Sequence, residues 1–127
     1  MGRRADPAPT PPARPERALL DLLGLAARAG ALVRGTDATR QAVRDGDVHG
    51  VIVAADTSPT QRQKLVPLLE ARRVRFHECL TRQALGAALG RAPVSAVGLT
   101  NAGFARRAAE LAAALHVPSR AEDKEKR

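Results

Sequence analysis

A run of apolar residues between two helical patterns restricts the fold more than any other feature of this chain. Residues 48–56 have the sequence VHGVIVAAD, whose β-branched residues predict a strand that ends at Asp56. The run is apolar at consecutive positions rather than alternate ones, so both faces of the strand are expected to be buried. The chain therefore requires a sheet with other structure packed on both of its sides.

Helical patterns precede and follow this strand. After Pro15, apolar residues recur at helical spacing, and Gly30 ends that helix. Ser58 and Pro59 have the composition of a helix start, with Ser58 as the N-cap and proline at the first helical position. In chain order, the patterns predict helices that start at Pro15, Asp37, Ser58, Thr81 and Asn101, and strands at 31–33, 48–56, 74–77 and 94–99. This order predicts an α/β fold with a parallel or mixed sheet covered on both faces.

The composition restricts the packing of the core. Hydrophobic residues make up 44% of the chain, but Phe76 and Phe104 are its only aromatic residues. The core is therefore expected to consist of Leu, Val and Ala side chains.

The length of 127 residues suits a single domain. Residues 1–15 form a basic, proline-rich segment, and residues 118–127 form a segment of mixed charge. Such segments bury too little apolar surface to offset the entropy of ordering, so both are predicted to be disordered tails. The folded domain is then predicted to span residues 16–117.

The charge of the chain favours an anionic partner. Lys and Arg number 21 against 13 Asp and Glu, which gives a net charge of +8, and 18 of the cations are Arg. The planar guanidinium of Arg suits phosphates and base edges. The N-terminus lacks the apolar region of a secretory signal, and no apolar run is long enough to span a membrane. These features predict a cytoplasmic protein without a membrane contact.

Four segments of the chain, taken together and in their order, are more informative than any one of them alone. They are LLGLAARAGALVRGTDATRQAVRDGDVHGVIVAADTSP at 22–59, KLVPLLEARRVRF at 64–76, LTRQALGAALGR at 80–91 and VSAVGLTNAGFA at 94–105. Together they resemble the ribosomal protein L7Ae family, whose members bind kink-turn RNA and include bacterial ribosome-associated proteins. The resemblance implies a three-layer α/β/α sandwich with a mixed four-stranded sheet. It also implies a non-catalytic protein that binds structured RNA, with ribosomal RNA and the ribosome as expected partners.

The resemblance implies a first RNA-contacting segment at the start of the second helix. Its predicted contact residues are Gly35, Thr36, Asp37, Thr39, Arg40 and Gln41. Gly35 lets the backbone approach a phosphate or base without a Cβ in the way, and the N-terminus of a helix attracts anions. The alternative is structural: Gly35 makes only a turn, and Thr36 or Asp37 only caps the helix.

The second segment implied by the resemblance is the loop that contains Leu80, Thr81 and Arg82. Leu80 would pack against a flipped-out base, Thr81 would offer its hydroxyl, and Arg82 would contact a phosphate or stack on a base. The alternative places Leu80 in the core and makes Thr81 an N-cap.

Three positions differ from the archaeal members, which carry Asn-Glu-x-x-Lys and use this trio to read tandem sheared G·A pairs. This chain has Asp37, Ala38 and Gln41 at those positions. Ala38 cannot accept a hydrogen bond through its side chain, and Gln41 carries no charge. Two functions therefore remain open: recognition of structured RNA, and a protein–protein interaction module that has lost kink-turn recognition. A monomer is favoured in either case.

Two further clusters invite a functional interpretation. His77, Glu78 and Cys79 are consecutive, but no third orienting group for a nucleophile is evident, so neither catalysis nor a metal site is predicted. Cys79 is the only cysteine, and no phosphate-binding glycine motif is present, so no cofactor is predicted. Arg72, Arg73 and Arg75 cluster at the end of the third predicted helix, where they either remain solvated or reach RNA.

Overall fold

A computed structural model describes residues 14–90 and 92–115 of the chain. The described residues form five helices and four strands, which alternate along the chain. The elements are α1 (Arg14–Arg28), β1 (Leu32–Arg34), α2 (Thr36–Arg44), β2 (Gly50–Val53), α3 (Pro59–Ala71), β3 (Phe76–Glu78), α4 (Arg82–Ala88), β4 (Ala96–Leu99) and α5 (Ala102–Ala114). The predicted tails at 1–15 and 118–127 lie outside the described residues, except that Arg14 and Pro15 belong to α1. Proline fits there because the first turn of a helix needs no N–H donor from it.

The strands form one mixed sheet in the order β1-β4-β2-β3. β2 and β3 are parallel, whereas β4 runs antiparallel to β1 and to β2. All four residues of β2 are buried, as its continuous apolar run predicts. The strand is shorter than the predicted 48–56, because the chain leaves the sheet at Ala54. The predicted α/β class with a mixed four-stranded sheet is confirmed.

Helices cover both faces of the sheet, so the protein has three layers. Alternate residues of β2 point to opposite faces, with Ile52 in one core and Val51 and Val53 in the other. The first core contains residues of α1, α4 and α5, namely Leu19, Leu23, Leu85, Ala105, Ala108 and Ala112. The second contains residues of α2 and α3, namely Val43, Leu65 and Leu69. Both cores consist of small aliphatic side chains, as the composition predicts, and the two phenylalanines pack at their margins.

The predicted helix starts are confirmed at three sites. Side chains of Ser58, Thr81 and Asn101 accept hydrogen bonds from backbone N–H groups in the first turns of α3, α4 and α5. Within the described ranges, no helix is long and apolar enough to cross a membrane.

Candidate nucleic-acid interface

The two segments that the sequence predicts as RNA contacts lie at the same edge of the sheet. β1, β2 and β3 all end at this edge, and β4 begins there. The N–H of Gly35 donates to the carbonyl of Ala96 at 2.7 Å, and the N–H of Ala55 donates to the carbonyl of Leu80 at 2.8 Å. The N–H of Ala54 donates to the carbonyl of Ser95 at 2.8 Å. We call this set, residues 35–41, 54–57, 80–82 and 94–96, the contact edge.

Gly35 connects β1 to α2 in a conformation that few other residues adopt. Its φ is 98° and its ψ is 156°, a region populated essentially by glycine. The turn lets its N–H bind the start of β4 while its carbonyl accepts from the N–H of Thr39 at 3.0 Å, within the first turn of α2. Glycine at this position is therefore required by the backbone, in addition to any contact with a ligand.

The N-terminus of α2 differs from those of α3, α4 and α5. Those three helices carry a capping side chain, whereas Gly35 has none to offer, and no side chain caps α2 within the described residues. The first-turn N–H groups of α2 are thus left without a side-chain acceptor at the positive end of the helix dipole. This arrangement suits an oxygen of an anionic ligand.

The residues of α2 divide between the interior and the surface. Thr36 is buried, and Thr39 has no exposed surface. The methyl group of Thr39 packs over Gly98 of β4, and it lies 3.4 Å from the point where a Cβ on Gly98 would stand. These two threonines therefore face the sheet, whereas Asp37, another predicted contact residue, is exposed on the surface of α2.

Arg40 lies between the buried and exposed faces of α2. Its Nε is shielded from solvent and has no hydrogen-bond partner within the described residues. Buried polar atoms are almost always paired, so this N–H is a donor for which residues 14–90 and 92–115 supply no acceptor. In this conformation the shielded Nε does not reach a ligand, and a turn of the side chain that exposes it would let Nε and Nη donate two parallel hydrogen bonds to a phosphate or to a guanine edge.

Gln41 is exposed on the same helix, but its amide is partly engaged. Its Nε2 donates to Oδ1 of Asp45 at 3.0 Å, one turn further along. The amide oxygen of Gln41 accepts no hydrogen bond from the described residues, so it remains available as an acceptor.

The structure places Leu80 inside the protein. Its side chain is 9% exposed and belongs to the core beneath α1, α4 and α5. Leu80 has φ 67°, and this left-handed turn directs the chain from β3 into α4. Thr81 follows as the N-cap, with its Oγ1 accepting from the N–H of Ala84 at 3.0 Å. The burial of Leu80 and the capping by Thr81 are what the structural alternative predicts for these two residues.

Arg82 is exposed and is held by a residue that the sequence did not indicate. The backbone N–H of Arg82 donates to Oδ1 of Asp56 at 2.8 Å, and its Nε lies 3.8 Å from Oδ2 of the same carboxylate. Asp56 follows β2 and so connects the β2–α3 loop to the start of α4. Only its position at the end of the predicted strand could have indicated this role.

Comparisons with known proteins agree with this architecture. The model of the ribosomal protein L7Ae/L30e/S12e/Gadd45 family matches residues 17–122. The chain belongs to this family. A solved structure of a protein of unknown function from Bacillus halodurans is 34% identical, with a TM-score of 0.70, over 75% of this chain and 96% of that one. Among curated proteins, none matches this sequence.

A more distant neighbour shares the fold. The Giardia lamblia 15.5 kD RNA-binding protein has a TM-score of 0.66 at 24% identity, over 87% of this chain and 96% of that chain. The L7Ae-family fold was therefore predicted correctly from the four segments.

Of the consecutive His77, Glu78 and Cys79 in this L7Ae-family chain, Glu78 is paired with an arginine and Cys79 is largely buried. Glu78 accepts two hydrogen bonds from Arg62, at 2.9 Å from Nε and 2.7 Å from Nη2, and this pairing lowers the pKa of the Glu78 carboxyl. Burial raises the pKa of the Cys79 thiol to about 11, so the thiol stays protonated at neutral pH and is a poor nucleophile. No group of metal-ligating side chains occurs within residues 14–90 and 92–115.

The conformation of Gly35 gives a testable stability prediction for this family member. Gly35→Ala is expected to lower the free energy of unfolding by about 2 kcal/mol, because alanine is strained at this φ and ψ even though no atom obstructs its Cβ. Gly46→Ala is the matched control, since Gly46 has φ 76° in the more accessible left-handed region and also has open space around it. Urea unfolding followed by circular dichroism measures both. Equal losses would contradict the strain at Gly35.

Proposed function

We propose that this protein is a non-catalytic RNA-binding protein that recognises structured RNA through the contact edge. An internal loop or a kink-turn-like bend in ribosomal RNA is the proposed target, and association with the ribosome in the cytoplasm is the proposed setting. The observation that carries the proposal is the uncapped N-terminus of α2 beside Arg40, whose Nε lacks an acceptor within the described residues. Family membership supports it, as does a structural neighbour that is named as an RNA-binding protein.

The contact edge offers donors of two kinds. The backbone N–H groups at the start of α2 suit phosphate oxygens, and the guanidinium groups of Arg40 and Arg82 suit phosphates or base edges. Gly35 brings the backbone of this segment close to a ligand because it has no side chain. Thr39 and Leu80 act from the interior by fixing the positions of α2 and of the loop before α4.

The proposed recognition differs from that of a strict G·A-pair reader. Asp37 and Ala38 are exposed at positions where the resembling archaeal proteins carry Asn and Glu. The Asp37 carboxylate can accept from base amino groups but repels phosphates, and Ala38 offers no acceptor. We therefore propose that Arg40 supplies the principal base contact, one position before the family's Lys.

A binding titration tests the proposal directly. A fluorescently labelled hairpin RNA with an internal loop of tandem G·A pairs is titrated with the full chain. The control hairpin has the same length, with the loop replaced by Watson–Crick pairs. Binding to the looped hairpin is expected at low-micromolar protein or below, to weaken as salt is raised, and to exceed binding to the control. If structured ribosomal RNA fragments and both hairpins all fail to bind at low-micromolar protein, the proposal is wrong.

Purification from a cell lysate separates RNA binding from the alternative of a protein–protein interaction module. The chain contains neither Trp nor Tyr, so it absorbs little at 280 nm. Bound RNA is expected to give a high ratio of absorbance at 260 nm to that at 280 nm, and nuclease treatment is expected to remove it. A ratio that nuclease does not change, together with co-purified proteins, would favour the interaction module.

A further inference from the structure

A second basic surface lies at the opposite edge of the sheet, where β2 and β3 begin. The N–H of His49 donates to the carbonyl of Leu99 at 2.8 Å, and the N–H of Val51 donates to the carbonyl of Arg75 at 3.1 Å. The four residues of β2 separate this edge from the contact edge, a span of about 13 Å at ~3.3 Å per residue. We call the set His49, Arg72, Arg73, Arg75 and Arg106 the basic rim.

The basic rim surrounds two adjoining cavities. One, of about 310 Å³, lies between α5 and the start of β2, and its lining includes Arg75 and Arg106 together with small residues such as Gly50 and Ala105. The other, of about 540 Å³, is bordered by Arg72 and by the loop after α2. His49 and Arg75 line both cavities, so these concavities form one continuous surface.

The charge of this surface is not balanced locally. Among the described residues that line the two cavities, none is acidic. Asp47 lies next to this surface but lines neither cavity. By contrast, the described cavity between α1 and α4 has Asp21 beside its cations. Side chains of Arg73, Arg75 and Arg106 form no ion pair with any described residue. Like charges held together without counter-charges favour an anionic partner.

Arg73 provides an independent sign that a cation is kept at this position although its backbone conformation is strained. It has φ 58°, and its N–H donates to the carbonyl of Glu70 at the end of α3. Glycine normally occupies this left-handed position, and three other helices of this chain follow that rule. The residues that follow α1, α2 and α4 in this conformation are Gly30, Gly46 and Gly90. Only α3, within the described part of the chain, ends on an arginine in this conformation.

We propose that the basic rim is a second RNA-binding surface, which holds a single-stranded segment flanking the structure bound at the contact edge. Phosphates contact Arg73 and Arg75, and an unpaired base enters the cavity that Gly50, Ala105 and Arg106 line. An arginine guanidinium can pair with a phosphate or stack on an unpaired base, so arginines around a concave surface suit a nucleotide, which presents a phosphate and a flat base together. This inference rests on the proposed function, since the flanking segment belongs to the same RNA.

The test compares two RNA probes and three proteins. The probes are the hairpin with tandem G·A pairs, and the same hairpin with a single-stranded extension of about 15 nucleotides, a length within known single-strand site sizes. The proteins are the full-length wild type, a rim variant with Arg73→Gly and Arg75→Gln, and a control variant with Lys64→Gln and Arg107→Gln. Both variants lose two positive charges, and the control positions are exposed near the middle of their helices.

The extension is expected to strengthen binding to the wild type about tenfold, and the rim variant is expected to lose this gain. The slope of log K against log salt should fall by ~1.4 for the extended probe, at ~0.7 for each lost single-strand phosphate contact. Binding of the bare hairpin should not change. A fourth protein, with Arg73→Gly alone, should have a higher Tm than the wild type, because the change relieves the left-handed strain.

Each other outcome overturns the inference. No gain from the extension in the wild type, a rim variant that keeps the gain, or an equal loss in the control variant would show that the rim is not an RNA site. If the extension gives no gain but polyaspartate binds the wild type and not the rim variant, the rim binds an acidic protein instead. A wild type that binds neither probe contradicts the proposed function and this inference together. A wild type that binds only the bare hairpin contradicts this inference alone.

Discussion

Gly86→Ala is expected to lower the free energy of unfolding by about 3 kcal/mol or more, the range of severe overpacking in a core. Gly86 is buried in α4, and a Cβ there would stand 2.3 Å from the carbonyl oxygen of Ala92 and 2.9 Å from Cα of Pro93. Both are backbone atoms, so no side-chain rotation relieves the clash. The loop between α4 and β4 must move away, or α4 must shift from its place on the core.

Gly90→Ala is the matched control for this prediction. Gly90 follows the same helix with φ 68°, and no atom lies within 4 Å of the point where its Cβ would stand. Its replacement is expected to cost about 1 kcal/mol from the backbone alone. Thermal and urea unfolding followed by circular dichroism compare the two. A loss at Gly86 no larger than that at Gly90 would mean that the loop does not pack against α4 as described.

The displaced loop connects this stability effect to the contact edge. The N–H of Val94 donates to the carbonyl of Arg82 at 3.1 Å, and the hydroxyl of Thr57 donates to the carbonyl of Ser95 at 3.2 Å. A shift of residues 92–95 therefore disturbs both of these contacts, which hold the edge together. Gly86→Ala is expected to weaken RNA binding even at temperatures where the variant remains folded.

Features set by local interactions could be predicted from the sequence. The N-caps Ser58, Thr81 and Asn101 were found from residue type and position, because a cap binds an N–H only three residues away. β2 was placed in the sheet interior because an unbroken apolar run leaves no polar face. These local patterns do not specify how the strands pair, and the mixed sheet was implied instead by the resemblance to the L7Ae family.

Features set by contacts between distant segments could not be predicted in the same way. The sequence left two roles open for Leu80, since its burial depends on where α1 and α5 pack. The contact of Asp56 with Arg82 spans 26 residues, and the only local signal of it is that Asp56 ends the predicted strand. Gly86 lies in the third of the four segments that resemble the family, but the reason for glycine there is the approach of a loop that follows the helix.

Arg40→Ala is expected to weaken binding of the looped hairpin RNA by about 1–3 kcal/mol if Arg40 reads a base, and by less if it contacts only a phosphate. The stability of the protein should not fall, because the Nε that the change removes has no partner within the described residues. Removing an unpaired buried donor takes away a desolvated group without breaking a bond. Fluorescence titration and circular dichroism therefore separate the effect on binding from any effect on folding.

Arg40→Lys and Arg44→Ala show what kind of contact Arg40 makes. Lysine keeps the charge but lacks the planar fork, so a base contact is lost in Arg40→Lys and a simple phosphate contact is largely kept. Arg44 lies one turn further along α2 and is exposed, so Arg44→Ala controls for the loss of one charge on the same helix. If Arg40→Ala weakens binding no more than Arg44→Ala does, the RNA contact lies elsewhere on the protein. If Arg40→Lys binds as weakly as Arg40→Ala, the unpaired Nε and its neighbouring Nη act together as a bidentate donor to a base.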